Sequence, residues 1–391
     1  MDTAALKDSW ELVAKSGDEV PLYFYSHLFL TRPDLRSMFP ISMANQRDKL
    51  VGALGQIVSN VDQLDEVVGL IQQLGRDHRR FAVAAEHYNA VGASLLATLK
   101  QFLGAAWNDQ LAADWAAAYG VIARVMVDAA EESAESTPAW WDAEVVSAER
   151  RSIDVTVLQI RPDQSYPYLP GQSFAMEVAQ RPRLWRYYSP ANAPRDDGTL
   201  ELHVQRVDGG QVSGVLVRSV KAGDTMRLGS PVGDQLTWSR ADRRDLVLVA
   251  GGTGLAPLRA VVDEIDRAWR AEGAGPRVHL FHGARVPWSL YDGEWLGSLA
   301  AGRPWFDYTP VVSDDRSFPG ARGLVGSVAA QSQDWRGRVA MVCGGPAMVS
   351  HTIQELSTAG IPVQDIKYEQ FDHVAAAETE DDDLREAGGL Q

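Results

Sequence analysis

Apolar residues recur at helical spacing through residues 1–132, as in Leu50, Leu54, Ile57 and Val58, and again in Leu95, Leu96, Leu99 and Leu103. This is the period of amphipathic helices. Pro21, Pro33 and Pro40 are the only prolines in the stretch, so long helices are allowed. Asp62 and Asp65 ahead of Val67, Val68, Leu70 and Ile71 predict a helix start. A last long helix is predicted over about Gln110 to Glu131. Residues 133–140, SAESTPAW, form a short polar linker. Beyond it the period drops to two. Ala143, Val145, Ile153, Val155, Val157 and Leu158 are strand candidates, as are Phe174, Met176 and Val178. So are Leu200, Leu202, Val204 and Val207, then Thr225, Arg227 and Leu228, with Gly, Pro and Asp turns between them. Closely spaced antiparallel strands over 141–240 predict a β-barrel or sandwich. From 243 the pattern changes again. Apolar strands at 246–251, 277–283 and 339–346 alternate with helical stretches such as 257–270, which predicts an α/β parallel-sheet domain over 241–373. Residues 374–391, with their EDDD run, are expected to be an acidic disordered tail.

The chain has 391 residues, a length that fits a multidomain protein. Its 52 acidic and 37 basic residues leave a formal charge of -15, which argues against nucleic acid as the main partner. A single cysteine excludes an internal disulfide framework and a cysteine-ligated iron–sulfur site. No apolar run reaches the roughly 18 residues of a membrane span. No export signal is visible at the N-terminus, so a cytoplasmic location is expected.

Candidate chemistry sits at the ends of strands. The run from Leu246 to Pro257 carries Gly251, Gly252 and Gly254 between a hydrophobic strand and a helix. Such a turn either serves packing or lets a phosphate approach backbone N–H groups. Cys343-Gly344-Gly345-Pro346 is a second turn of this kind. Ligands of open parallel sheets bind at the carboxyl ends of the strands. In the β-rich part, Arg186, Tyr188 and Ser189 follow a strand, where Arg can neutralise a diphosphate and Tyr can stack on a heterocycle. Gly210, Gln211, Val212 and Ser213 offer a turn rich in N–H groups that ends in a hydroxyl.

These four motifs, in this order, resemble the ferredoxin–NAD(P) reductase superfamily, which pairs an FAD-binding β-barrel with an NAD(P)-binding α/β domain. The resemblance implies that Arg186, Tyr188 and Ser189 contact the flavin and that Gly210, Gln211, Val212 and Ser213 hold its diphosphate. It assigns Gly251, Thr253, Gly254, Ala256, Pro257, Cys343, Gly344 and Pro346 to the pyridine nucleotide. Glu369 and Phe371 match the family's ending, where an aromatic covers the flavin ring. Cys343 is read either as a buried packing residue or as a shape element beside the nicotinamide, and not as a nucleophile.

The helical part resembles a bacterial globin, and residues 1–371 together resemble the flavohaemoglobins. The resemblance implies haem b held by His78 as the iron ligand, with Tyr25 and Gln46 on the distal side. Phe39 and Leu50 line the haem, and Tyr88 stands near the proximal histidine. His87 and His27 are the nearby alternatives; His87 is expected to cap a helix or meet solvent, and His27 to point to another face than Tyr25. Two positions depart from the family pattern. Asp77 stands where a lysine precedes the histidine, and Ala130 stands where a glutamate completes the proximal cluster, with Glu131 one step on.

The resemblance implies a nitric oxide dioxygenase that passes NAD(P)H electrons through FAD to an oxygen-binding haem. Its small-molecule partners would be oxygen, nitric oxide and NADH or NADPH, with a slight preference for NADH, and the protein would be a monomer or weak dimer. Alternative readings are a flavohaem oxidoreductase with another donor or acceptor and a haem-based oxygen or redox sensor.

Overall fold

The computed structural model describes residues 1–371, apart from the side chains of Asn45, Leu64 and Glu66. The acidic stretch 374–391 lies outside the described residues. Contacts divide the chain into two compact units. The first is Met1–Trp140 with Pro182–Leu184, and the second is Trp141–Arg181 with the residues from Trp185 on.

The first unit is helical: α1 (Thr3–Ala14), α2 (Glu19–Thr31), α3 (Ala44–Ser59), α4 (Leu64–His78), α5 (Ala85–Leu103) and α6 (Asp109–Ala134). Asp2 caps α1 and Asn108 caps α6, each accepting a backbone N–H of the first turn. Helix α4 starts at Leu64, so Asp65 lies inside its first turn, where a carboxylate suits the helix dipole. The main core gathers Leu6, Trp10, Phe24, Tyr25, Leu28, Leu99 and Trp115. A smaller cluster of Ile57, Val67, Ile71 and Met126 packs with Leu74 and Tyr88.

The second unit opens with an antiparallel sheet of β1 (Trp141–Arg150), β2 (Val155–Pro162), β3 (Ser173–Val178), β4 (Arg181–Tyr188), β5 (Leu200–Gln205) and β6 (Thr225–Val232). Their order is β4-β3-β6-β1-β2-β5. A bridge between Pro190 and Leu202 joins the two ends and curls the sheet into a barrel. Ile153 belongs to the turn between β1 and β2 and is 77% exposed. Its lone apolar side chain mimicked strand alternation. Helix α7 (Gln211–Arg218) crosses after β5.

A parallel sheet follows, with β7 (Leu246–Gly251), α8 (Leu255–Glu272), β8 (Val278–Ala284), α9 (Gly293–Gly302), β9 (Phe306–Val312), β10 (Ala321–Arg322), α10 (Val325–Ser332), β11 (Val339–Gly344), α11 (Pro346–Thr358) and β12 (Ile366–Gln370). The order β10-β9-β8-β7-β11-β12 reverses direction between β7 and β11. Leu246, Leu248 and Ala250 pack on one face, Val247 and Val249 on the other, so both faces are covered. Among the described residues no helix is long and apolar enough to cross a membrane.

Candidate functional site

In the helical unit, α2 carries Tyr25 into an aromatic group. Its ring centroid lies 5.5 Å from Phe39 and 5.8 Å from Phe29, and those two are 5.3 Å apart. Phe39 enters from the turn after α2. The short Pro33–Met38 turn brings it there, and Arg36 ties the chain by donating to the carbonyls of Phe39 and Pro40. Gln46 sits in the first turns of α3. Its amide donates to the Tyr25 hydroxyl at 3.3 Å, and that hydroxyl donates to the Gln46 carbonyl at 3.4 Å. Burial pushes the Tyr25 phenol up to about 12, against a smaller opposing pull from Gln46. Leu50, one turn along α3, packs against the same core.

His78 is the last residue of α4. Its Nδ1 lies 2.6 Å from the Leu74 carbonyl, an acceptor, so Nδ1 carries the proton and Nε2 keeps its lone pair. Burial holds the imidazole below its usual range, which favours the neutral, metal-binding form. Phe81 at 6.3 Å and Tyr88 at 6.4 Å flank the ring. The Tyr119 hydroxyl donates to the Tyr88 carbonyl at 2.7 Å, tying α6 to α5. Among the described residues no group of three or more His, Cys, Asp or Glu could hold a metal ion. A single imidazole with a free lone pair, beside aromatic and aliphatic walls, suits haem, whose porphyrin supplies the remaining in-plane ligands.

The rival histidines have other work. His87 Nδ1 accepts the Ala84 N–H at 3.1 Å and caps α5. His27 Nδ1 lies 3.1 Å from the Ser94 hydroxyl. Asp77 accepts from Arg80 at 3.1 Å and from Gln73 at 3.2 Å. Ala130 is half-buried, and Glu131 is exposed.

In the second unit, β4 ends with Arg186 and Tyr188, and Ser189 follows it directly. Phe174 and Met176 of β3 pair with Tyr188 and Arg186. Burial raises the Tyr188 phenol. Ser189 is buried, and its hydroxyl has no hydrogen-bond partner among the described residues. An orphaned buried donor needs an explanation, and the polar edge of an isoalloxazine ring would supply an acceptor. Gly210 is the N-cap of α7, so Gln211, Val212 and Ser213 form its first turn. The Ser213 hydroxyl accepts the Val207 N–H at 3.1 Å, which leaves its own O–H to donate. That O–H and the backbone N–H groups of the turn are together suited to an anion.

The two glycine turns meet at the reversal point of the parallel sheet. Gly252 has φ +54°, a left-handed conformation that favours glycine. A Cβ on Gly254 would lie 2.2 Å from the Cys343 carbonyl oxygen, so no side chain fits there. A Cβ on Gly344 would lie 3.3 Å from the Gly251 backbone, so the ends of β11 and β7 nearly touch. Thr253 lies in the short turn before α8, and Ala256 and Pro257 are buried in its first turn. Pro346 opens α11, where its missing N–H costs nothing. Cys343 is fully buried, and burial raises its thiol well above the usual range, so it is no thiolate. Glu369 pairs with Cys343 across β11 and β12, and the Phe371 N–H donates to the Gly344 carbonyl at 2.9 Å. Arg285, just beyond β8, is held by Asp314 at 2.8 Å.

Comparison with known proteins agrees with this arrangement. Residues 22–126 match the globin family, 142–236 the oxidoreductase FAD-binding domain and 248–354 the oxidoreductase NAD-binding domain. The chain is 29% identical over 337 residues to a flavohemoprotein of Bordetella pertussis, covering 80% of this chain and 82% of that protein. It is 27% identical over 393 residues to a flavohemoprotein of Pseudomonas putida, covering 96% and 98%. Its fold is similar to the crystal structure of a flavohemoglobin from Malassezia yamatoensis with bound FAD and heme, with TM-score 0.76, 17% identity and coverage of 95% and 98%. With a globin followed by FAD- and NAD-binding oxidoreductase domains in one chain, the protein has the domain organisation of the flavohaemoglobins and uses haem, FAD and NAD(P)H.

Proposed function

We propose that this NAD(P)H-dependent flavohaem oxidoreductase is a nitric oxide dioxygenase. Each nitrate formed takes up one nitric oxide, one oxygen and one electron. The carrying observation is the buried Tyr25 hydroxyl, oriented by Gln46 inside an aromatic group, on a chain that also holds a reductase. When bound, haem supplies oxygen binding and one-electron chemistry, and flavin divides a two-electron hydride into single electrons.

The chain's own residues would act as follows. Tyr25, raised to about 12, keeps its proton at neutral pH, and its O–H would turn from the long 3.4 Å contact with the Gln46 carbonyl to negative charge developing in the pocket. Gln46 orients that hydroxyl, and Phe39 and Leu50 keep water out. His78 presents Nε2 while Leu74 fixes its tautomer. Ser189, Arg186 and Tyr188 would seat the flavin, with the first turn of α7 under its diphosphate. The turns at Gly251–Gly254 and Cys343–Pro346 would hold the pyridine nucleotide, with Glu369 and Phe371 at its edge.

A second reading is a flavohaem oxidoreductase with another electron acceptor. It draws on Ala130 and the exposed Glu131, which leave the Tyr88 side without the carboxylate of the family pattern. Stopped-flow mixing of the oxygenated, NADH-reduced protein with nitric oxide separates the two. Rapid stoichiometric nitrate over several turnovers supports dioxygenation. Reduced flavin beside a haem that stays ferric supports the second reading.

A further inference from the structure

Helix α8 begins at the glycine turn of β7 and carries Arg259, Asp263 and Arg267 four residues apart, on one face. All three reach the segment that directly follows Ser189. Arg259 donates to the Ala191 carbonyl at 3.3 Å and pairs closely with Glu201 of β5. Asp263 accepts the Ala193 N–H at 3.0 Å. Arg267 donates to the carbonyls of Ala193, at 3.3 Å, and Pro194. Arg259 Nε also lies 3.0 Å from Asp292, and its guanidinium carbon sits 4.2 Å from the Trp295 ring centre.

Around this contact is a buried polar set. Glu201 accepts from Arg195 at 2.9 Å and from His203 Nε2 at 3.2 Å, and His203 Nδ1 accepts from the Tyr291 hydroxyl at 2.9 Å. Arg259, Glu201, His203 and Asp292 are all buried. Arg195 and Arg259 balance Glu201 and Asp292. A buried charge set contributes little net stability over apolar packing of the same volume. What it does secure is one geometry, because guanidinium and carboxylate planes must align. On the far side of the turn, His282 Nε2 donates to the Gly252 carbonyl at 3.2 Å, and the Gln205 carboxamide lies against Gly252.

We propose that Arg259, supported by Asp263 and Arg267, is a positioning residue. Through the rigid body of α8 it sets the distance between the nucleotide turn at Gly251–Gly254 and the flavin-facing Ser189. Hydride transfer depends steeply on that spacing. The inference rests on the nicotinamide-to-flavin step of the family and is independent of the chemistry at the haem.

The test uses the full-length, FAD-loaded protein with R259K and D263A. Lysine keeps the charge but loses the planar fork and the ring stacking. Asp263 is half-buried, so its truncation spares the fold if R259K does not. Three quantities are read: the limiting rate of anaerobic flavin reduction by NADH, the affinity for NAD+ by calorimetry, and amide exchange at Ala191 and Ala193. The limiting rate is expected to fall about tenfold or more, with NAD+ affinity within about twofold and faster exchange at those amides. An unchanged limiting rate in both variants overturns the proposal, even with a lower melting temperature. So does a loss confined to NAD+ affinity. Nitric oxide turnover is not read, so failure here leaves the dioxygenase reading untouched.

Discussion

Single atoms decide much of the chemistry at the two ends of this chain. Among the described residues the Tyr25 hydroxyl is hydrogen-bonded to Gln46, and Tyr25→Phe removes that hydroxyl without emptying the aromatic group. Loss of the one hydrogen bond it would donate to bound oxygen, about 1–2 kcal/mol, should speed oxygen dissociation from the ferrous protein roughly tenfold. Flash photolysis or stopped-flow with a ligand trap reads this directly. At Gly254 a methyl group would meet backbone rather than a flexible side chain. Gly254→Ala should therefore lower stability by about 1–3 kcal/mol in urea unfolding. It should also weaken NADH-driven flavin reduction, because β7 and β11 must move apart. Both residues stood out in the sequence through their motifs. Gln46's grip on the Tyr25 hydroxyl and the bond from the Val207 N–H to Ser213 did not, since each depends on a partner distant in sequence or on a local turn.

At the level of elements, the helical period was plain in the chain, but how α4 is held was not. Helix α4 crosses α6 where Gly75 meets the Met126 backbone, with no room for a Cβ. Next to His78, Arg79 reaches the end of α6 and donates to the Ser133 hydroxyl at 2.7 Å, the Thr137 hydroxyl at 3.0 Å and the Thr137 carbonyl at 2.6 Å. An arginine in the run Arg76–Arg80 reads as solvated surface until the second helix is in place. Arg79→Met keeps the apolar stem and removes those donors. It should cost about 1–3 kcal/mol in urea unfolding of the helical unit, followed at the Soret band. An unchanged midpoint would show that the contacts carry no weight. The stripe of Arg259, Asp263 and Arg267 has the same character: the spacing was visible, the surface it faces was not.

For the whole molecule, the departure at Asp77 and the raised carboxyl of Glu369 bear on how charges and protons are held. Asp77 is occupied by Arg80 and Gln73 within its own unit. Glu369 is raised to about 7, first by burial and then by Asp234. Its neighbour across the strands, Cys343, stays a neutral thiol. Below neutrality the folded protein thus holds a proton on Glu369 that the unfolded chain releases near pH 4.5. Stability from this group is present below the unfolded value and falls as pH rises from about 4.5 to about 7. Glu369→Gln should flatten that dependence, seen as the difference in urea midpoint between the two proteins across the window.

Sequence alone determined the three-part organisation, because periods of 3.6 and 2 and the glycine turns are local properties of the chain. It also marked His78, Tyr25, Ser189 and the two glycine turns, whose residue types and order are themselves the signal. Only tertiary structure decided which donors were left free and which were spent. The tautomer of His78, the orphaned Ser189 hydroxyl, the pairing of Asp77 with Arg80 and the buried set around Arg259 all depend on where a partner lies in space. A hydrogen bond or ion pair is worth something only at contact distance, and contact between residues far apart in the chain is set by packing and not by local pattern.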